Sequence, residues 1–202
     1  MRLLSIGLLV SCLSGNLTWA SCQNTGDFKG WIEDFKQEAA AAGINQEVIS
    51  KTLDSVSFDN SVIQRDRSQG VFAQTFLQFS DKKVSSNRLA SGQAAIKKNA
   101  ALFKRIEQQY GVPAPVLTAF WGLETDFGAV LGDFSTIPAL ATLAYDCRRP
   151  ERFRPELLHA LWLVQKGDIS LAKMRGAWAG ELGQLQFLPS GYNLHGVDFD
   201  GD

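Results

Sequence analysis

The sequence contains few residues of the kinds that build metal sites or bind nucleic acids. Three cysteines and two histidines occur among its 202 residues, and neither His159 nor His195 stands at the spacing of a metal-ligand motif. The formal net charge is −1, and no long run of Lys or Arg appears. Because phosphate binding depends on clustered cationic side chains, a nucleic-acid partner is not expected.

Convincing strand alternation, internal repeats and low-complexity segments are also missing from the sequence. Hydrophobic residues make up 45% and charged residues 20%, a balance typical of globular proteins. Apolar residues recur at helical spacing from Asp27, a candidate N-cap, to Gly43, a natural stop. Further helices are predicted over residues 44–53, 92–110, 137–145 and 155–166. The fold class is therefore expected to be mostly α, although residues 59–83 fit either a helix or an extended segment.

The first twenty residues differ from the rest of the chain. Arg2 precedes a mostly apolar stretch over residues 3–17, and residues 18–20 follow it with a small residue, Ala20, at the last position. This arrangement is typical of a secretory signal peptide over residues 1–20. A transmembrane anchor is the alternative, but polar residues and glycine interrupt a stretch already shorter than the ~20 residues that a span needs. The protein is therefore expected in the periplasm, with no transmembrane span after cleavage.

Two cysteines would remain after such a cleavage, Cys22 and Cys147. In an oxidising compartment they can pair, so we expect a Cys22–Cys147 disulfide. Lipid modification of Cys22 is the alternative, although Trp19 stands where bacterial lipoprotein signals usually carry Leu. The mass of the intact protein separates the two, since acylation adds mass and a disulfide removes two hydrogens.

Glu124 has the most distinctive position among the acidic residues. It follows Leu117 by seven residues, Phe120 by four and Trp121 by three, which predicts a carboxyl on the apolar face of a helix. Burial there would disfavour the charged form and keep the carboxyl protonated. A protonated carboxyl can donate its proton to a leaving oxygen, as cleavage of a glycosidic bond requires. On position alone, a solvated or salt-bridged Glu at a helix end is the alternative.

Three separated blocks of sequence resemble one enzyme family. They are residues 120–128 (FWGLETDFG), 145–150 (YDCRRP) and 176–190 (GAWAGELGQLQFLPS). In this order and at this spacing they are similar to the catalytic motif, the paired-arginine segment and the Gly-rich stretch of lytic murein transglycosylases of the membrane-bound B family. The resemblance covers roughly the mature chain and implies a lysozyme-like helical catalytic core.

The resemblance also implies a domain organisation and a partner. Residues 1–20 would be the signal peptide, residues 21–90 an N-terminal helical subdomain, and residues 91–202 a lysozyme-like catalytic domain that is incomplete at its C-terminus. The partner would be the glycan strands of peptidoglycan, and the protein is expected to be a monomer.

Enzymes of this family cleave the β-1,4 bond between N-acetylmuramic acid and N-acetylglucosamine without water and leave 1,6-anhydromuramic acid ends. One carboxyl, matched here by Glu124, serves first as acid to the glycosidic oxygen and then as base to the C6 hydroxyl. Two-carboxylate glycosidases need a second carboxyl about 5–9.5 Å away, and the sequence excludes neither Asp133 nor Glu181 from that role. A hydrolytic muramidase and a non-catalytic peptidoglycan-binding module are therefore the alternatives.

Five further residues are candidate substrate contacts on the strength of the resemblance. Arg148 and Arg149 match the family's arginine pair, whose forked donors suit the carboxylates or acyl oxygens of peptide stems. Gln186 matches a cleft residue that can hydrogen-bond a sugar amide, and Phe187 beside it is expected to pack the cleft wall. Trp178 fits a sugar-stacking platform and a core position equally well.

The last residues of the sequence form an acidic pattern. Asp198, Asp200 and Asp202 stand at the first, third and fifth positions of an EF-hand-like loop, and some members of the family carry a calcium loop here. The later ligand positions would lie beyond Asp202, so calcium is expected only with a completed loop, and no tight site is expected in this chain. The expected chemistry requires no cofactor.

Overall fold

The structure, a computed structural model, describes residues 26–68 and 74–199. This part of the chain is mostly helical, which confirms the expected fold class. Its helices are α1 (Phe28–Ala41), α2 (Gln46–Leu53), α3 (Asn60–Arg67), α4 (Phe76–Lys83), α5 (Ser86–Lys98), α6 (Ala100–Tyr110), α7 (Ala114–Thr125), α8 (Thr136–Tyr145), α9 (Pro150–Lys166) and α10 (Pro189–His195). Two short strands, β1 (Phe134–Ser135) and β2 (Arg175–Gly176), accompany them.

The first two helices form a hairpin whose ends are fixed by local capping. The Asp27 carboxylate accepts a hydrogen bond at 2.8 Å from the backbone N–H three residues later, and the Asn45 side chain does the same at 2.9 Å. Helix α1 ends at Ala41, two residues before Gly43, whose φ of +93° suits glycine. The predicted start and stop of this helix are therefore confirmed.

The hydrophobic core lies between helices α1 to α3 on one side and helices α8 and α9 on the other. Its largest fully buried side chains are Phe35, Ile49, Leu53, Val62, Ile137, Leu140, Leu143, Phe153, Leu157, Leu161, Leu163 and Met174. Burial of each such side chain contributes about 1.5–3 kcal/mol. Because elements distant in the sequence share one core, each side of it stabilises the other.

Helices α5, α6 and α7 pack on one another. The single helix predicted over residues 92–110 is wrong, because the chain leaves helical geometry at Asn99 with φ −106° and ψ 25°. The Asn99 side chain donates to the Ala95 carbonyl at 3.0 Å. An amide side chain that bonds the backbone in this way competes with continuation of the helix.

Helix α9 begins at Pro150, five residues earlier than predicted. Proline is tolerated at the first position of a helix, because the backbone N–H there has no intrahelical partner. Pro155 lies inside the helix, where it forfeits one backbone hydrogen bond without ending it. Placing the start of this helix at Pro155 was therefore wrong.

The two strands pair antiparallel, with Phe134 opposite Gly176 and Ser135 opposite Arg175. A ladder of two residues is too short to show alternation in the sequence, and none was predicted. This strand pair connects the start of α8 with the start of the Gly-rich segment. We define the Gly-rich segment as residues 176–188.

Several predictions fall on residues outside the described ones. These are the signal peptide over residues 1–20 and the Cys22–Cys147 disulfide, which stay predictions. The boundary between residues 21–90 and 91–202 falls inside α5, and this division also stays a prediction. Within residues 26–68 and 74–199, no helix is both long and apolar enough to cross a bilayer.

Candidate active site

Helix α7 packs through its small residues. Thr118, Gly122 and Thr125 are buried, and the Phe127 ring lies so close that a Cβ on Gly122 would be 2.7 Å from its Cζ atom. Large side chains consequently lie on the open side of the helix, where Phe120 is 58% exposed.

Glu124 lies on this open side and is exposed. The prediction that its carboxyl is buried on an apolar face is therefore wrong. Helix α7 carries apolar residues on nearly every side, so periodicity alone could not identify the face that packs. Glu124 is bordered along the helix by Phe120 and by the half-buried Trp121, which gives an open surface with an apolar wall.

The chain leaves α7 through two consecutive left-handed residues, Asp126 and Phe127, with φ of 48° and 61°. This backbone conformation is costly for residues other than glycine. Arg88 of α5 offsets the cost by binding the Asp126 carboxylate at 2.6 Å. The Phe127 ring packs edge-on against Trp121 with centroids 5.5 Å apart. These contacts fix the end of the helix that carries Glu124.

Gln184 ties the Gly-rich segment to α7. The Trp121 indole N–H donates to the Gln184 side-chain oxygen at 2.7 Å, and the Thr125 hydroxyl donates to the Gln184 backbone oxygen at 2.7 Å. The Thr125 hydroxyl also accepts from the Gly128 N–H at 3.0 Å. Sequence reasoning missed Gln184, because nothing in a Gly-rich stretch reveals a partner on a distant helix.

The Gly-rich segment folds back on itself. Leu182 forms an isolated bridge with Gly176 and another with Phe187. Gly180 and Gly183 have φ of +93° and +73°, and a Cβ at either position would overlap a neighbouring side chain. The segment can adopt this tight path because glycine stands at each of these positions.

The negative charge of Glu124 acts on the carboxyl of Glu181. Burial raises the pKa of Glu181, and the negative charge of Glu124 raises it further, against the lowering effect of Arg152 on α9 and of two backbone N–H groups. The net pKa of Glu181 lies above its ordinary value. Asp133, the other candidate for a second carboxyl, is exposed, and its backbone carbonyl accepts from Arg175.

Three predicted substrate contacts lie in the Gly-rich segment. The Gln186 amide nitrogen donates to the carbonyls of Leu131 at 3.1 Å and Gly183 at 2.8 Å, so its oxygen is the atom suited to a ligand. Phe187 is 51% exposed. Trp178 is partly buried and packs against the hydrophobic core, which favours the core position for this residue.

Arg148 and Arg149, the predicted arginine pair, both bind Asp66, which is 2% exposed. Arg148 is 2.6 Å from the Asp66 carboxylate, and Arg67 bridges Asp66 at 2.6 Å and Asp146 at 2.9 Å. Burial alone would raise the pKa of Asp66, but hydrogen bonds from the arginine pair outweigh it and hold this pKa below its ordinary value. Sequence reasoning missed Asp66, and contact of the arginines with substrate stays a prediction.

The structure describes only part of the acidic pattern at the end of the sequence. Asp198 lies beside Phe199, whose ring packs under the Arg105 guanidinium of α6 at 5.0 Å, whereas Asp200 and Asp202 are outside the described residues. Among the residues that the structure describes, no three His, Cys, Asp or Glu side chains gather as a metal site. The calcium loop therefore stays a prediction.

Comparison with known proteins assigns these elements to a family. Residues 27–202 match the transglycosylase SLT domain. The chain is 32% identical over 128 residues to Membrane-bound lytic murein transglycosylase B of Escherichia coli (strain K12), and the match covers 63% of this chain and 36% of that protein.

Solved structures have the same fold. SltB3 from Pseudomonas aeruginosa in complex with NAG-anhNAM-pentapeptide matches with a TM-score of 0.81 and 36% identity, over 87% of this chain and 47% of that one. Slt35 of Escherichia coli in complex with calcium matches with a TM-score of 0.76 and 28% identity, over 85% and 55%. These matches confirm the lysozyme-like helical core.

The chain spans about a third of the length of the curated relative and about half of the solved chains. The domain match nevertheless covers nearly all of the described residues. By that match, the chain belongs to the transglycosylase SLT domain family.

Proposed function

We propose that this chain cleaves peptidoglycan as a lytic transglycosylase, with Glu124 as its single acid/base. The proposal rests on the position of the Glu124 carboxyl on α7, in a chain that belongs to this family. It is exposed at the C-terminal end of α7, within the electrostatic reach of Glu181 in the Gly-rich segment. An exposed carboxyl beside apolar side chains can meet a large polymer that a closed pocket would exclude.

One carboxyl is sufficient for the proposed reaction. The protonated Glu124 donates its proton to the glycosidic oxygen, and the bond between that oxygen and C1 of N-acetylmuramic acid breaks. The resulting carboxylate then takes the proton of the C6 hydroxyl while O6 forms a bond with C1. The carboxyl regains its proton, no water is consumed, and the product carries a 1,6-anhydro ring.

Relatives support the choice of substrate. SltB3 has been solved with NAG-NAM-pentapeptide and with NAG-anhNAM-pentapeptide, and we extend both the glycan and the anhydro product to this chain. Phe120 and Phe187 present exposed aromatic faces that suit sugar rings. The Gln186 side-chain oxygen suits the N–H of a sugar amide. Trp178 would support the cleft wall from the core.

The arginine pair, Arg148 and Arg149, is proposed to bind the peptide stem of peptidoglycan. In the cluster around Asp66, the guanidinium groups of Arg67, Arg148 and Arg149 surround the carboxylates of Asp66 and Asp146. The side chains of Arg148 and Arg149 are 43% and 27% exposed. An anionic stem carboxylate could therefore bind them without displacing Asp66.

The proposal also covers where the mature protein acts, its oligomeric state, its disulfide and its need for calcium. We place the mature protein in the periplasm after removal of residues 1–20, acting as a monomer, with a Cys22–Cys147 disulfide and with calcium only in a completed acidic loop. Intact mass of the exported protein tests the disulfide, because it distinguishes loss of two hydrogens from acylation of Cys22.

Digestion of purified sacculi tests the activity. The wild-type chain should release muropeptides one water lighter than the products of a muramidase, as read by mass spectrometry. Glu124→Gln should lower the release by about 100-fold or more, because it removes the proton donor and keeps the shape. Glu47→Gln, which removes an exposed carboxyl on α2, should release product at the wild-type rate. Equal release by wild type and Glu124→Gln would refute the role of Glu124.

A hydrolytic muramidase is the second candidate, and the nearby carboxyl of Glu181 is the observation that favours it. Hydrolysis would add one water to each product, so the same mass spectra decide between the two reactions. A chain that binds glycan strands and releases nothing would instead be a binding module.

A further inference from the structure

We propose that Gln184 is a further substrate-binding residue, whose side-chain N–H₂ group donates a hydrogen bond to the acyl oxygen of an N-acetyl group on the glycan. The inference rests on the proposed function, in which a glycan strand lies along the open side of α7 at Glu124. Gln184 contacts α7 at residues on both sides of Glu124 in the sequence, Trp121 and Thr125. It therefore lies beside the path of a strand bound at Glu124.

The Trp121 indole determines which end of the Gln184 amide is free. An indole N–H can only donate, so the Gln184 atom that lies 2.7 Å from it is the side-chain oxygen. The other end of the amide, its N–H₂ group, has no acceptor among the residues that the structure describes. Gln184 is also exposed. Its two N–H donors are therefore available to a ligand.

Gln184 is anchored through its backbone as well as its side chain. Its backbone oxygen accepts from the Thr125 hydroxyl at 2.7 Å, and Thr125 is only 1% exposed. The side-chain oxygen packs over Gly128, where a Cβ would lie 2.5 Å from it. A side chain that is already held in one orientation loses little freedom when a ligand binds, which favours affinity.

Gln184 and Gln186 offer a ligand opposite kinds of hydrogen-bonding group. The Gln186 amide nitrogen donates to two backbone carbonyls, so its oxygen is free to accept. Gln184 has its oxygen occupied and its nitrogen free. An N-acetyl group carries one acceptor, its acyl oxygen, and one donor, its N–H, so it can use both kinds of partner. A glycan with hydroxyl groups in place of the acetamido groups lacks the acyl oxygen that we assign to Gln184.

NMR titration of the ¹⁵N-labelled chain with a β-1,4-linked tetramer of N-acetylglucosamine tests this contact. The tetramer contains no N-acetylmuramic acid, so the proposed reaction does not consume it. The Gln184 side-chain N–H₂ signal, identified by its loss in Gln184→Met, should shift with this tetramer and stay in place with the β-1,4-linked tetramer of glucose. A signal that stays in place with the N-acetylglucosamine tetramer, or failure of that tetramer to bind wild type, would overturn the inference.

The affinity of the variants measures the contribution of the donor. Gln184→Met should weaken binding of the N-acetylglucosamine tetramer by roughly 3- to 10-fold, as expected for the loss of one neutral hydrogen bond. Gln108→Met, at an exposed position on α6, is the matched control and should bind the tetramer as wild type does. Unchanged affinity in Gln184→Met would contradict the proposed contact.

Gln184→Glu separates donation to the substrate from anchoring of the side chain. Its carboxylate can still accept from the Trp121 indole, so the indole N–H signal should stay near its wild-type position, whereas Gln184→Met should move it. Because a carboxylate has no N–H to donate, Gln184→Glu should bind the tetramer as weakly as Gln184→Met does. Wild-type affinity in Gln184→Glu would show that Gln184 only anchors the segment. If wild type releases nothing from sacculi, the proposed function fails, whereas these titrations still decide the contact because they need no turnover.

Discussion

Asp66 keeps its negative charge although it is almost completely buried, because three arginines surround it. The cluster connects α3 with the turn between α8 and α9, through Asp146 and the arginine pair. Its bonds therefore stabilise the packing of the N-terminal helices on the core. If one partner is removed, the charge that it balanced is left without a counter-charge and is only partly screened by water.

Asp66→Asn should lower the free energy of unfolding by about 2 kcal/mol at pH 7, less than for a fully buried pair because the arginines are part exposed. Folding holds this carboxylate deprotonated more strongly than the unfolded chain does, since its folded pKa is lowered. The contribution is therefore present above about pH 3.9, the value for unfolded Asp, and is lost as the pH falls through the folded pKa.

Urea unfolding at pH 7 and pH 3 measures this effect, as the difference between wild type and Asp66→Asn. Asp34→Asn, at an exposed position on α1, is the matched control and should change stability by less than about 0.5 kcal/mol at both pH values. A difference between wild type and Asp66→Asn that is as large at pH 3 as at pH 7 would rule out the ionised carboxylate as its source.

Single residues also show what the sequence could predict of the site. The motif nominated Glu124, the arginine pair and Gln186 as site residues, because these are read from local strings of residues, and their roles stay predictions. It could not locate Asp66 or Gln184, whose partners lie in distant parts of the chain. Burial of Glu124 was mispredicted, since exposure depends on which face of α7 finds a neighbour.

At the scale of elements, the presence of helices was predictable and several of their limits were not. Caps at Asp27 and Gly43 are local signals, and they marked α1 correctly. The break at Asn99 and the early start at Pro150 depend on how one side chain or one turn competes with the helix, which periodicity does not report. The two-residue strand pair is stabilised by tertiary contacts and left no pattern in the sequence.

Two glycines on facing helices touch the same aromatic ring and should respond oppositely to alanine. A Cβ on Gly122 of α7 would lie 2.7 Å from Phe127, whereas one on Gly92 of α5 would lie at an ordinary 3.5 Å. Gly92→Ala should stabilise the chain by up to about 1 kcal/mol through helix propensity. Gly122→Ala should destabilise it by about 1 kcal/mol, because displacement of the ring outweighs the same gain.

Thermal unfolding followed by circular dichroism checks both variants. Gly122→Ala should also lower activity on sacculi, since Phe127 helps to fix the end of α7 that carries Glu124. Stabilisation by both substitutions would show that the ring yields at no cost and that the close approach of Gly122 is not needed.

At the scale of the whole molecule, some of the described helices share a buried core and others bury no side chain. Helices α1, α2, α8 and α9 share one core, although helices α4 to α7 lie between α2 and α8 in the chain. Helix α4 has no buried residue. The sequence identified apolar faces but could not show that α1 and α2 pack on α8 and α9, because that contact is formed by the tertiary fold.

Leu161→Ala should therefore weaken the packing of α1 and α2 together with that of α9. Leu161 is fully buried in the shared core, and its truncation should cost about 2–5 kcal/mol through lost burial and a cavity. Hydrogen exchange measured by mass spectrometry should show faster exchange in α1 and α2 as well as in α9, by the same free energy, if these helices open as one unit. Helix α4 provides an internal control, since its amides should exchange at the same fast rate in wild type and variant. Acceleration confined to α9 would instead mean that the N-terminal helices are stable without the core they cover.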